Sequence, residues 1–430
     1  MKKILAILIL SFLGQNLVLA NDLAIMTFNM WLHDNGHQKY VIKDDNSYKN
    51  NLNLKLSKKK WTLPEEASPN FDTLLYYFFK YQHSHFVPGS RTYQWDTYEV
   101  KPSTQHYKFK SDLKEDNYIK KQMNKTALLS YLLYEDGKIT VDEISPIDRF
   151  GDFVNNETKL RSMSIGKTMV SYVMGHAICR GYIDSVDSRL NDWFLTKNTL
   201  YENQKIIDLL NMNAGDHKYV KRGNFKDGSG EIDTMTILKA MSKMLNLKKT
   251  KSQYNYNPLL PHLLLNYISF KSGDDFENLL EDIFQNEAQI QQSVYFFKHP
   301  NREKELGVAN SMFFATRHDY LRIAKSILDD WQNDTCMGKY LKTIYENRIP
   351  KGNFDQRFDL TNTFTATKTY AGFFHTDYSG MKKRSIMGMS GYGGQEIIID
   401  FDRSKILVIH SIHENFNWKK IAYSVIKKGN

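Results

Sequence analysis

The sequence predicts an α+β fold, an α/β sandwich in which helices flank one antiparallel sheet drawn from two distant parts of the chain. Three observations carry that reading. Residues 126–144 read as a β-hairpin, residues from Ser164 to about 345 show helical period, and residues 396–412 return to strand character. The sheet is therefore expected from about 125–160 and 380–430, around a helical part of about 161–345 that forms an all-α insertion.

The chain begins with Lys2 and Lys3, an apolar run Ile4–Leu13, and the small-residue end Val18-Leu19-Ala20. That order is the signature of a secretory signal peptide over residues 1–20, so the protein is expected to be exported, periplasmic or secreted. No second stretch reaches the roughly 20 apolar residues of a membrane span. Residues 21–124 form an N-terminal extension of unassigned role. It contains a lysine-rich polar stretch, 44–60, and an aromatic run, Leu74–Phe79, that must be buried. A single domain of residues 125–430 follows.

Composition narrows the function. Of 430 residues, 41% are hydrophobic and 25% charged, which excludes a disordered chain, a collagen-like repeat and a multi-span membrane protein. The net charge of +10 comes from scattered lysines that share no motif with aromatics, so no nucleic-acid partner is expected. Only two cysteines occur, Cys179 and Cys336. They rule out a disulfide framework, and either pairing or a free buried thiol fits them. The histidines at His33, His37, His83, His85, His410 and His413 lack metal-site spacing; no metal is expected, and His410 reads as an ordinary surface or core residue.

In the hairpin, two β-prone runs flank Glu135-Asp136-Gly137, whose Asp-Gly suits a tight turn. From Ser164 the apolar residues Met169, Val170, Val173, Met174, Ala177 and Ile178 mark one face of a helix, with Gly181 as its cap. Further helices are expected near 204–212, 235–245, 260–270, 275–287 and 318–331. Strands Glu396–Phe401 and Lys405–Ile412 are separated by Asp402-Arg403-Ser404, and Trp418–Lys427 forms a last helix.

Ser164-Ile165-Gly166-Lys167 is one of five S-x-x-K tetrads, the others starting at Ser57, Ser111, Ser379 and Ser424. Only Ser164 opens a strong helix, where positions i and i+3 share a face and the helix N-terminus adds partial positive charge. A serine hydroxyl attacks a carbonyl only when a neighbouring base takes its proton, and a lysine three residues on is placed to do so. Taken alone, the tetrad reads more simply as an N-cap serine beside a solvated lysine.

The surrounding segments reverse that balance. Leu160–Asp184 resembles the nucleophile segment of the serine β-lactamase-like family, which covers class C β-lactamases, D,D-peptidases, esterases and 6-aminohexanoate-dimer hydrolases. Leu132–Ile144 looks like its opening strands, Leu209–Gly215 is similar to its "LLTMTSG" segment, and Ala315–Tyr320 resembles its "ATARDY" helix start. The resemblance spans about residues 125–428.

It implies a β-lactamase/transpeptidase-like fold, no cofactor, and two further catalytic elements. The first is Y-x-N, where this chain reads Tyr254-Asn255-Tyr256-Asn257-Pro258. Spacing to Leu263-Leu264 and Gly273 selects Tyr256, with Tyr254 as alternate. Pro258 stands where the asparagine is expected, so Asn257 or Asn255 is the candidate replacement. The second is K-[ST]-G on an edge strand, matched by Met389-Ser390-Gly391-Tyr392, with methionine in place of the lysine. The resemblance then implies an oxyanion hole from the N–H groups of Ser164 and Tyr392. The loss of a cation at Met389 argues against β-lactams and peptidyl-D-alanine. The expected function is an exported serine hydrolase that cleaves a small carboxylic ester or amide. The alternatives are a cell-wall D,D-peptidase or β-lactamase, and a catalytically inactive binding protein that retains the fold. Oligomeric state is not legible.

Overall fold

The computed structural model describes residues 97–151, 154–232, 235–298, 306, 313–352 and 360–428. The signal segment, Ser57, the Leu74–Phe79 run and the histidines at His33, His37, His83 and His85 lie outside them. The chain divides into two compact units, Met1–Gln94 with Pro146–Phe153, and Trp95–Ser145 with Val154–Asn430. In the first, Ile147–Gly151 forms a single turn whose Arg149 and Gly151 amides donate to the Pro146 carbonyl. All other elements described belong to the second.

Its strands are β1 (Thr97–Val100), β2 (Lys110–Ser111), β3 (Leu128–Glu135), β4 (Lys138–Ile144), β5 (Leu160–Arg161), β6 (Val220–Lys221), β7 (Asn224–Phe225) and β8 (Val294–Phe297). They continue as β9 (Phe313–Ala315), β10 (Ile349–Pro350), β11 (Thr367–Ala371), β12 (Phe374–Tyr378), β13 (Ile386–Gly391), β14 (Gln395–Asp400) and β15 (Lys405–Ser411). The principal helices are α1 (Asn117–Lys125), α2 (Ile165–Cys179), α3 (Leu259–Ser272), α4 (Arg317–Gln332), α5 (Cys336–Glu346) and the short α6 (Thr363–Ala366).

Nine strands form the main sheet in the order β10-β11-β12-β13-β14-β15-β3-β4-β2. The predicted hairpin is its β3–β4 pair. Asp136 (φ 52°) and Gly137 (φ 80°) both take the left-handed conformation that a two-residue hairpin turn requires. The two ends of the domain meet where β15 pairs with β3, Leu407 opposite Leu133 and Ile409 opposite Tyr131. Both faces are covered, which makes the sheet the middle layer of a sandwich. Leu407, Ile409, Leu133 and Ile398 pack under Trp418, Ile421 and Ile426 of the C-terminal segment and Ile119 and Met123 of α1. Each such side chain contributes about 1.5–3 kcal/mol by leaving water. On β15 the intervening His410 points the other way, its ring 4.9 Å from that of Tyr320 on α4.

The structure modifies several expectations. The middle is not all-α: β6 and β7 make a small hairpin, and β1, β8, β9 and β5 form a second sheet. The boundary at residues 124/125 falls inside the compact unit, because β1, β2 and α1 precede it and pair or pack within it. Helix α2 is not amphipathic. Every residue from Ile165 to Ala177 is buried, Lys167 and His176 included, so α2 is the central helix of the helical layer. Cys179 at its end is bonded to Cys336 at the start of α5, with the Cα atoms 5.8 Å apart, which closes the alternative left open by the sequence. The two helices approach so closely that a Cβ on Gly175 would lie 2.4 Å from Met337 Sδ.

Candidate active site

Ser164 is the first residue of the α2 turn, and Met163 before it holds a positive φ of 49°. For a methionine that conformation is strained by an estimated ~1–3 kcal/mol and persists only where the surroundings impose it. Gly391 is one such constraint: a Cβ there would sit 2.7 Å from the Ser162 carbonyl and 3.0 Å from Met163 Cβ. The end of β13 therefore presses on the backbone that presents Ser164. From the other side, Tyr320 Oη donates to the Leu160 carbonyl at 2.9 Å, tying the same segment to α4.

The simple N-cap reading fails on both residues. Ser164 makes no side-chain cap bond, and Lys167 is only 1% exposed. Lys167 Nζ lies 3.1 Å from Ser164 Oγ and 4.7 Å from the centroid of the Tyr256 ring. None of the ion pairs among the described residues includes Lys167; its side chain meets the Ser164 hydroxyl and the Tyr256 π face. Thus Ser164, Lys167 and Tyr256 come together, Tyr256 through its ring. Tyr254 lies behind it, its ring 6.5 Å from Tyr256 and 5.2 Å from Tyr370.

The tyrosine loop is held from below by Asp216. Its carboxylate accepts from Tyr201 Oη at 2.9 Å, Asn255 Nδ2 at 2.7 Å and Asn257 Nδ2 at 3.2 Å. Burial pushes its pKa up from the usual carboxylate range, and these donors offset part of that rise. Asn257 also caps α3, its Oδ1 accepting from the Leu259 amide at 3.0 Å. Asn257 is fully buried in that role, whereas Asn255 reaches the pocket wall.

The third motif lies on β13, which is an interior strand of the sheet and not its edge. Its pairing with β12 stops at Gly388, so Met389–Gly391 runs on beyond that partner while staying paired with β14. Met389 is buried and brings no charge. Ser390 Oγ donates to Glu396 Oε1 at 2.8 Å, directly across the β13–β14 ladder. The other oxygen of Glu396 accepts from the Thr363 amide of α6 at 3.3 Å. Glu396 is completely buried, and loss of solvent pushes its pKa up to about 8. Tyr392 is 60% exposed at the sheet end. The amides of Ile165, Gly166 and Lys167 are committed to the Ser162, Met163 and Ser164 carbonyls; those of Ser164 and Tyr392 have no such backbone acceptor among the described residues.

An open pocket of about 620 Å³ lies at Ser164; no residue of the third motif is among its described lining. Ser164 and Lys167 line it from α2, and Tyr254, Asn255, Tyr256 and Pro258 from the loop before α3. Lys221, Arg222, Gly223 and Lys226 enter from the β6–β7 hairpin, Phe364 from α6, and His217 and Gln253 complete it. Behind Phe364, His375 is kept well below the usual imidazole range by burial and by the charges of Lys351 and Lys167. It is a neutral ring that accepts from Lys351 Nζ at 3.2 Å. His410 is likewise a core histidine, held down to about 3 by burial and the nearby Arg317.

No family model and no curated protein matches the sequence. Solved structures do. A protein assigned as a 6-aminohexanoate-dimer hydrolase from Bacillus anthracis aligns with a TM-score of 0.56 at 13% identity, over 86% of this chain and 95% of its own. One assigned as a β-lactamase from Bacteroides dorei gives 0.54 at 14% identity, over 72% and 96%. A penicillin-binding protein from Bacillus halodurans gives 0.52 at 13%, over 73% and 99%. This chain has the serine β-lactamase/transpeptidase fold.

Within that fold, sequence reasoning missed Asp216, Glu396, Thr363 and Phe364. Asp216 follows directly on the 209–215 segment and carried a signal, an acid immediately after Ala214-Gly215. Glu396 had a weaker one, a carboxylate opening a strand whose next residues are all isoleucine. The A-T-x-x-D-Y match also gains a physical account. Thr316 caps α4, Asp319 accepts from the Gln291 and Gln292 amides at 2.7 and 3.1 Å, and Arg317 crosses to Ser130 Oγ at 2.6 Å. Among the described residues no helix is long and apolar enough to cross a membrane.

Proposed function

We propose that the protein is an exported serine hydrolase that cleaves a carboxylic ester or amide through an acyl-enzyme on Ser164. The observation that carries this reading is the buried Lys167 with its Nζ 3.1 Å from Ser164 Oγ, at a pocket that admits a small molecule. In the forward step Ser164 Oγ bonds to the substrate carbonyl carbon while Lys167 takes the hydroxyl proton. The Ser164 and Tyr392 amides receive the oxyanion, which is the largest single contribution in such reactions. Collapse of the intermediate expels the alkoxide or amine, which recovers the proton with Tyr256 as relay. Water then attacks the acyl-enzyme and the same groups return the serine. Export is supported by the Lys2–Ala20 pattern and by the Cys179–Cys336 bond, since such bonds persist in oxidising compartments.

The test is labelling with a fluorophosphonate probe followed by peptide mapping. Label on the Ser164 peptide, absent in Ser164→Ala, is the expected result. No label under conditions that label a related esterase overturns the reading.

A further inference from the structure

The charge of the pocket lining is one-sided. Lys221, Arg222 and Lys226 reach it from the β6–β7 hairpin, and among the described residues no aspartate or glutamate lines it. The hairpin is fixed by the Val220–Phe225 and Lys221–Asn224 pairs and by the Lys226 amide donating to the Tyr219 carbonyl at 2.8 Å. Lys221 and Lys226 are exposed, and neither is in an ion pair among the described residues. Glu231 is paired with Asn224 of the same hairpin and is not among the described residues of the lining, and two other acids in the region are already engaged. Asp216 is buried beneath the tyrosine loop, enclosed by three donors. Asp227, next to Lys226 in sequence, accepts from the Ser229 amide at 2.8 Å. The same lining includes the aromatic rings of Tyr254, Tyr256 and Phe364. A cleft with charge of one sign and low-dielectric walls concentrates counter-charged molecules. The third motif, with Met389 buried and neutral, supplies no cation of its own.

We infer that the substrate has an apolar body ending in an anionic oxygen group such as a carboxylate, which Lys221 and Lys226 receive at the pocket mouth. The aromatic wall takes the apolar body, and the scissile carbonyl lies at Ser164. This inference rests on the serine-hydrolase reading and names the substrate class for the same site.

The experiment compares mono-p-nitrophenyl adipate with its neutral methyl ester, in the full-length mature protein, at about 50 mM and about 300 mM salt. The expected kcat/KM ratio of anionic to neutral ester is about tenfold or more at low salt, falling several-fold at high salt. Lys221→Gln with Lys226→Gln lowers the low-salt ratio by about tenfold. A wild-type ratio near unity, or a ratio that the double variant leaves in place, overturns the inference while the hydrolase reading stands. Should neither ester turn over and no probe label appear, the hydrolase reading fails. Anion recognition is then decided by titrating mono-p-nitrophenyl adipate into Ser164→Ala. Binding that weakens with salt and with the two lysine substitutions supports it; absent or salt-independent binding overturns it.

Discussion

Removing the bond between Cys179 and Cys336 should destabilise the protein without disabling its site. The bond closes a loop with a sequence separation of 157 residues, from the end of α2 to the start of α5. In the chain-entropy account, closing such a loop removes about 17 cal/mol/K from the unfolded chain, or about 5 kcal/mol at 25 °C. Bonds commonly deliver about 2–4 kcal/mol, so about 3–5 kcal/mol is the expected loss against a total stability of about 5–15 kcal/mol. The perturbation is Cys179→Ala with Cys336→Ala, and the assay is urea unfolding followed by tryptophan fluorescence, beside wild type with and without reductant. The double variant and the reduced wild type should share a lowered midpoint. Their slope against urea should rise, because an uncross-linked chain exposes more surface. Probe labelling of Ser164 below the transition should persist, since 15 helical residues, about 22 Å, separate it from Cys179. Midpoints unchanged in both would refute the reasoning, since they would mean that the loop contributes nothing to the unfolded state.

Three other outcomes follow from the geometry. Lys167→Met removes the proposed proton acceptor, and kcat/KM for an activated ester should fall by about 10²–10⁴-fold with the thermal transition retained. Glu396 has a folded pKa of about 8, above its unfolded value, so its contribution is fully present below the unfolded pKa and is lost as pH rises towards about 8. Glu396→Gln should therefore flatten the fall in stability between about pH 5 and pH 8, by a few kcal/mol, in urea unfolding at several pH values; an unaltered profile would count against a protonated Glu396. Arg317→Leu leaves Asp142 with His318 alone and removes the bonds to Ser130, Asn156 and the Glu143 carbonyl in a largely buried site, and should cost about 1–3 kcal/mol by the same assay.

Much of the frame was legible because local chemistry dictated it. Asp136-Gly137 specified its turn, and Ser164 opened a helix that the apolar spacing predicted. The β11–β12 hairpin left no such mark. Its turn is Gly372-Phe373, and Phe373 sits at a φ of 66°, a conformation that no propensity assigns to phenylalanine. The strands β13, β14 and β15 are buried on both faces, so they show runs and not alternation, which blurs their ends and hides the β13 extension. Ser164 and Lys167 were readable because four residues of one helix turn hold both. Asp216 and Glu396 were not, because each acts through a contact across tens of residues or a strand pair, which sequence spacing does not encode. The buried state of Lys167 and the whole-circumference burial of α2 belong to the same class. They depend on α3, α5 and the sheet closing around the helix, and no pattern within residues 165–179 reveals that.

The pairing of β15 with β3 also sets an order of events. Ser411 Oγ donates to the Ala127 carbonyl across 284 residues, and β3, paired with β4 on one side, lacks its other neighbour until that last strand exists. A ribosome must therefore make nearly the entire chain before the central layer can close, and Gly391, which braces Ser164, comes with the same late segment. Contacts of such long range slow folding. A newly made chain would thus remain uncommitted until its final strand emerges, and the nucleophile would stay unassembled for as long. Under the proposed export, a chain threaded unfolded through a membrane would gain from that delay, because it would stay in a transportable state on the side where it is made.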